Sequence, residues 1–316
     1  MAVLTALLFI FSLSLGGADI SWQDIIKFAS GGEIDEIKET ILLEIRLPRV
    51  IMAFLIGMLL ASSGVVVQSV FLNPLADPYI IGIASAATFG AVIAYLLGLS
   101  DVFYGIFAFL SASALSIVIF KLAAHTRSIS TLLIVGIAVS SFLGAFTSFA
   151  VYLIGEDSFR ITAWMMGYLG GANWQKIALL LPPLLFCMAY FYAKRHELNI
   201  ILNGDEEAKS LGLNVEKSKK SLLIVSSLII GFSVAFTGMI GFVGLIIPHT
   251  LRMILKTSSN IVLIPISTFA GGFFLLACDT IGKSVLSPTE VPIGVVTAFF
   301  GAPFFLFLAI RSSRSI

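Results

Sequence analysis

The sequence predicts an all-α polytopic membrane protein of about ten transmembrane helices, folded as a single domain over residues 1–316. Composition is the first ground for this: 58% of the residues are hydrophobic and only 12% charged, with a mean hydropathy of +1.05. A soluble chain of this length needs far more charge to cover its surface. Apolar runs long enough to cross a bilayer recur from end to end, and a ~30 Å hydrocarbon core takes about 20 helical residues. Charges, glycines and prolines gather between those runs, where turns belong.

Breaking the chain at these clusters places spans near 2–17, 47–68, 79–98, 103–121, 131–154, 177–193, 221–239, 241–256, 261–281 and 292–310. The eighth is short and is expected to be broken or partly re-entrant. The opening run, MAVLTALLFIFSLSLGG, lacks the basic n-region of a signal peptide and is expected to be the first span.

An even number of spans puts both termini on one side. Placed inside, the cytoplasmic segments hold twelve Lys/Arg: Lys121, Arg127, six between Lys194 and Lys220, Arg252, Lys256, Arg311 and Arg314. The outer segments hold seven: Lys27, Lys38, Arg46, Arg49, Arg160, Lys176 and Lys283. The positive-inside rule therefore predicts cytoplasmic termini. Trp22, Trp164 and Trp174 fall in outer segments, where indole favours the headgroup region. A net charge of +1 gives no electrostatic case for nucleic acid. Cys187 and Cys278 lie inside apolar runs and read as small fillers.

An internal repeat is visible. FLIGMLLASSGVVVQSVFLNPLADP (54–78) set above LIIGFSVAFTGMIGFVGLIIPHTLR (228–252) brings Gly57, Ala61, Gly64 and Pro74 onto Gly231, Ala235, Gly238 and Pro248 at a constant offset of 174 residues. The offset carries the second span onto the seventh. Five spans is an odd number, so the copies are inverted, a recurrent transporter design.

Residues 277–284, ACDTIGKS, match the relaxed form of a phosphate-cradling loop. Such a loop works between a buried strand and a helix of an α/β domain. Here it closes the ninth span on the outer side with no strand before it, so nucleotide chemistry must come from another subunit. His125, His196 and His249 show no metal-binding spacing. The chain is expected to hold no catalytic residue, no metal and no cofactor. Residues 129–155 and 177–193 contain no Asp, Glu, Lys, Arg or His. An ion-coupled secondary carrier, the rival class, would need one near the midplane.

Two stretches look like contact sites. In KRHELNIILNGDEEAKSLGLNVEKSKK (194–220), Asn203 or Gly204 can cap a short helix with Asp205, Glu206 and Glu207 at its positive end. Gly212 can end that helix in the left-handed conformation. Ala208 and Leu211 lie three apart, as one small apolar face suited to a groove on a partner; a solvated loop with one helical turn is the alternative. In IRLPRV (45–50), Pro48 fits a helix start. Arg46 and Arg49 there can snorkel to headgroups or pair with acidic groups of a partner.

RLPRVIMAFLIGMLLASSGVVVQSVFLNPLADPYIIG, LNGDEEAKSLGLNVE, GFVGLIIPHTLR and VPIGVVTAFFGAPFFLFL occur in this order across residues 46–310. Together they closely resemble the permease subunits of ABC importers for iron–siderophore complexes, haem and vitamin B12. The resemblance implies ten helices per subunit and a homodimer or paired homologue in a bacterial or archaeal plasma membrane. It also implies two cytoplasmic ATPase subunits, which handle ATP and Mg, and an extracytoplasmic binding protein. By the same resemblance, Gly204 to Gly212 is the coupling helix that docks on the ATPase. Arg46 and Arg49, with Lys283, meet acidic residues of the binding protein. Ser128, Ser130 and Thr131 belong to the cytoplasmic gate, and the fifth and tenth spans line the path. After NPLADP the family usually reads Gly-Val-Ser-Ser-Gly-Ala, whereas this chain has Gly82-Ile83-Ala84-Ser85-Ala86-Ala87. The expected cargo is an iron(III)–siderophore, ahead of haem, vitamin B12 or an oxyanion.

Replacing both Ala208 and Leu211 with Asp is expected to abolish assembly with an ATPase while the membrane fold persists, as read by co-purification.

Overall fold

The computed structural model describes residues 2–18, 20–126, 129–287 and 289–313, without the side chains of 2, 80, 81, 101, 120, 122–126, 129–133, 307–309 and 311–313. Among the described residues there are fifteen α-helices and no strand. In order they are α1 (Ala2–Ser14), α2 (Trp22–Ala29), α3 (Glu36–Thr40), α4 (Leu47–Val70), α5 (Ile83–Leu96), α6 (Asp101–Thr126), α7 (Ile129–Ile154) and α8 (Phe159–Met165). There follow α9 (Trp174–Ala193), α10 (Arg195–Ile201), α11 (Asp205–Ser210), α12 (Val215–Thr237), α13 (Val243–Leu255), α14 (Asn260–Val285) and α15 (Ile293–Ser313).

Six of these runs are long and apolar enough to cross a bilayer, and four shorter apolar helices make up the ten expected spans. The eighth span is short: α13 has 13 residues, about 20 Å at 1.5 Å per residue. The first and third are short as well, with 13 and 14 residues. The fourth span runs on from 121 to Thr126, the third helix starts at Ile83, and two further starts move for identifiable reasons. The seventh span begins at Val215, because the Asn214 side chain accepts from Lys217 N and starts the helix within the polar KSKK stretch. The second span does not begin at Pro48: α3, a π-helical turn over Ile41–Arg46 and α4 form one helical run. The widened turn gives the proline ring room where it would otherwise meet the carbonyl four residues back.

Helix α4 is the hub. It packs along α14 and also touches α12, α13 and α9. A Cβ at Gly57 would stand 2.3 Å from Gly271 O, and one at Gly64 would stand 1.9 Å from Gly244 O. Backbones this close need glycine, and lipid supplies no hydrophobic drive between helices, so such packing carries the association.

The inverted repeat is present in the packing. Gly57 and Ala61 of α4 face Gly271 of α14, while Gly231 and Ala235 of α12 face Ala112 and Gly105 of α6. The second span thus meets the ninth as the seventh meets the fourth. Two of the aligned pairs are not equivalent, however. Gly64 lies inside α4, whereas Gly238 ends α12 at φ +70, and Pro74 lies in a turn whereas Pro248 is inside α13. The copies diverge at that end because α13 starts afresh after a break. Ala86, where the resemblance expects glycine, is buried, and its carbonyl accepts from Ser111 Oγ at 2.5 Å.

Gly64→Ala is expected to lower stability by about 1–3 kcal/mol, since the opposing backbone cannot rotate aside. Gly144 in α7 meets nothing within 4 Å, so Gly144→Ala should change stability by less than about 1 kcal/mol. Thermal unfolding of the two variants in detergent tests both.

Candidate functional site

Polar groups gather at the two ends of the bundle. One end carries α10, α11 and the start of α12. Gly204 stands before α11 at φ +102 and ψ +160, and its side-chain-free position makes no capping bond, so the three acidic residues of the first turn offset the bare N–H groups instead. Gly212 turns at φ +83, and Leu213 N donates to Ala208 O at 3.1 Å, closing the helix as expected.

The apolar face does not form as expected. Ala208 is fully buried inside the chain, while Leu211, just past the helix, is 62% exposed. Their spacing of three holds them on one side only while the helix lasts, and it ends at Ser210. The Ala208→Asp part of the double substitution would therefore bury a charge and disturb the chain's own packing. What faces outward is Glu206, whose side chain is 90% exposed, together with Leu211. Asp205, with 41% of its side chain accessible, accepts from Lys219 Nζ at 2.6 Å. Glu197 of α10 accepts from Lys194 Nζ at 2.6 Å and from the Ser218 hydroxyl of α12. Burial raises its pKa, but these bonds outweigh that and hold it below the ordinary value.

At the opposite end the three cations expected to meet a binding protein are occupied within the chain. Arg46 and Lys283 are buried. Arg46 Nη1 donates to Leu13 O at 2.6 Å, and its Nη2 to Ala18 O. Lys283 Nζ donates to Ser12 O at 2.5 Å and to Ser12 Oγ at 2.9 Å. Ser12 and Leu13 lie in the last turn of α1, whose carbonyls lack helical partners and carry the negative end of the dipole. Two cations from two other helices thus cap α1, so neither is presented to an outside partner in this structure. ACDTIGKS lies wholly inside α14 and forms no loop; its lysine is a helix cap.

Arg49 is held by two carboxylates that sequence reasoning missed. Its Nε and Nη2 donate to Asp279 at 3.0 and 2.9 Å, and its Nη1 donates to Glu290 at 2.7 Å. The planar fork suits this two-sided grip. Asp279 is 1% exposed. A carboxylate in an apolar run demands a cation, but Lys283 stands four residues from Asp279 and Arg49 stands 230 away, so the residues alone do not name the partner.

Of the expected gate residues, Ser128 lies outside the described residues. Ser130 and Thr131 fall in the first turn of α7, and their side chains lie outside the description too.

Between the spans, α2 and α3 are joined by an ion pair, Lys38 Nζ to Asp24 at 2.9 Å. The Lys38 bond, with those from the Ser21 backbone N–H and hydroxyl, holds the Asp24 pKa down from 3.8 to about 2. A depressed folded-state pKa stabilises above the unfolded value and is lost as pH falls. The α2–α3 link should therefore persist at neutral pH and weaken as pH falls from about 4 through 2. NMR titration of the Asp24 carboxyl measures it. Lys283→Met should free the end of α1 at a cost of about 1.5–3 kcal/mol, the worth of charge-assisted bonds. Faster amide exchange over residues 2–18, with α14 unchanged, is the expected reading.

Residues 4–311 match the FecCD transport family. The cobalamin import system permease protein of Halobacterium salinarum is 40% identical over 280 residues, covering 87% of this chain and 74% of the relative. The hemin transport system permease protein of Yersinia pestis is 34% identical, covering 98% and 94%. A solved metal-chelate-type ABC transporter in an inward-facing conformation superposes with a TM-score of 0.87 at 31% identity, covering 98% of this chain and 97% of that one. Ten apolar helices, the inverted packing and these matches converge: the chain is a multi-pass membrane permease and belongs to the FecCD transport family.

Proposed function

We propose that this permease passes a bulky metal chelate (an iron(III)–siderophore, haem or a cobalamin-like macrocycle) from an extracytoplasmic binding protein into the cytoplasm, driven by two ATPase subunits. Two copies of the chain enclose the path, with both termini in the cytoplasm. ATP and Mg are handled by the ATPase subunits, and the permease needs no cofactor of its own.

The observation that carries this reading is the excursion between α9 and α12. It is short, helical and bonded to its own bundle through Asp205–Lys219, and it leaves Glu206 and Leu211 facing out. A motor that grips there pulls on a segment already fastened to the spans. The twelve-to-seven distribution of Lys/Arg supports placing this end in the cytoplasm. The names of the cobalamin and hemin relatives, and of the metal-chelate-type neighbour, support a chelate as cargo. Exposed Ile134, Ile137, Phe142 and Phe149 on α7 support a second copy or a path wall on that side.

An ion-coupled carrier is disfavoured because the apolar middles of α7 and α9 offer no Asp, Glu, Lys, Arg or His. Arg46, Arg49 and Lys283 support the outer mouth indirectly, by fixing α1, α4 and α14 there. Glu290 of that cluster is the partly exposed member, with 38% of its side chain accessible.

The test is co-expression with the cognate ATPase in nanodiscs. Leu211→Asp should weaken ATPase association at least about tenfold, as loss of an interface anchor does, while the detergent-purified chain melts as before. Undiminished association would count against α11 as the docking element. The chain alone in liposomes should accumulate no chelate under a proton or sodium gradient; accumulation would establish the rival carrier.

A further inference from the structure

Helix α14 begins without a cap of its own. Its N-cap residue, Ser259, makes no side-chain capping bond. The bond comes instead from α10: Asn199 Oδ1 accepts from the Asn260 backbone N–H at 2.7 Å, and Asn199 Nδ2 lies 3.4 Å from Ser259 Oγ. A first-turn N–H is one of the orphan donors of a helix, so this is capping supplied by another helix.

Asn260 itself is fully buried, and its side-chain amide meets Ser69 Oγ of α4 at 3.0 Å. The Ser69 hydroxyl has a single proton, and Val65 O at 2.8 Å competes for it. With that proton on Val65 O, the Ser69 oxygen is free to accept from the amide N–H of Asn260 once the amide is turned end for end. Asn260 Nδ2, otherwise buried without a partner, then has one.

Helices α4 and α14 are therefore tied at three levels. Ser69 meets Asn260 at the α10 end, Gly57 meets Gly271 midway, and Arg49 grips Asp279 at the far end. A pair fastened so moves as one body rather than bending.

We infer that Asn199 and Asn260 are positioning residues of the transport cycle: they fasten the α10–α11 segment to the α4–α14 pair, so that displacement of α11 by a partner swings the far end of α14. The inference rests on the proposed function, since it presumes a motor at α11. The Asp205–Lys219 bond reaches only α12 and does not provide this route.

A spin label at Val285→Cys, 64% exposed at the far end of α14, reads the movement; the native cysteines Cys187 and Cys278 are buried. The distance between the two labels is measured by pulsed electron–electron resonance in the full complex in nanodiscs, with and without a non-hydrolysable ATP analogue. The unsubstituted complex should shift on adding the analogue. With Asn199→Leu the ratio of shifted to unshifted pairs should fall on the order of tenfold, although the ATPase still co-purifies. Asn199→Asp keeps the acceptor oxygen and should restore the shift. Asn199→Ala removes the same acceptor with a smaller side chain and should act like Asn199→Leu; should Asn199→Leu fail to assemble, Asn199→Ala decides. A full shift in Asn199→Leu or Asn199→Ala, or an unsubstituted complex that binds ATPase but does not shift, overturns the inference. An unsubstituted chain that binds no ATPase overturns the proposed function, and this inference with it.

Discussion

Backbone-to-backbone contact along α4 is the constraint on which the remaining architecture hangs. Inside a bilayer, burying apolar side chains against one another gains little, because lipid tails are equally apolar. Helices associate where their main chains can approach, and α4 offers two such places, Gly57 toward α14 and Gly64 toward α13. The second explains how α13 can be so short. Its start is held at the backbone of α4, and Gln68 Nε2 donates to Gly244 O and Leu245 O beside it, at 3.3 and 3.1 Å. Main-chain groups left free by a broken helix are tolerated at membrane depth only with such protein partners. The same glutamine accepts from Arg252 at the other end of α13, so one side chain of the hub helix steadies both ends of the broken span.

Charge is used differently at the two ends. At the α1 end, cations close the chain on itself: Arg46 and Lys283 fasten the last turn of α1, and Arg49 locks α4 to α14 through Asp279. At the α11 end, Asp205–Lys219 and Glu197–Ser218 fasten the base of the excursion and leave its tip exposed. An end whose charges are satisfied internally is rigid; an end with a fastened base and a free tip is built to be gripped. That asymmetry suits a conduit moved from one side, and it follows from where partners are found, since the residue types at the two ends are similar.

Much of this was legible in the residues alone. Ten apolar runs, the short eighth span, the short helix between Gly204 and Gly212, and the inverted pairing at Gly57/Gly231 and Ala61/Ala235 all rest on local properties. Hydrophobic length, cap chemistry and the need for φ > 0 act within a few residues and survive whatever the rest of the chain does. The start of α12 among lysines is hidden from hydropathy, because the Asn214 cap begins the helix within a polar stretch. The π turn before Pro48 was missed because a proline marks a helix start as readily as a widened turn inside one.

Partnership was not legible, for a general reason. Arg46, Arg49 and Lys283 stand at span ends, where a cation can reach lipid, an outside protein or another helix, and all three choices leave the same trace in sequence. Ser12 lies 271 positions from Lys283 and Asp279 lies 230 from Arg49, distances over which no pattern of period or spacing persists. The side to which Ala208 turns was equally hidden, being set by which helix lies beside it. Amino-acid order thus settled that this chain crosses a membrane many times and which stretches form the spans, because those are short-range energies. Which charged and small groups meet was settled by the packing of ten spans, because pairing energies act through space and ignore position along the chain.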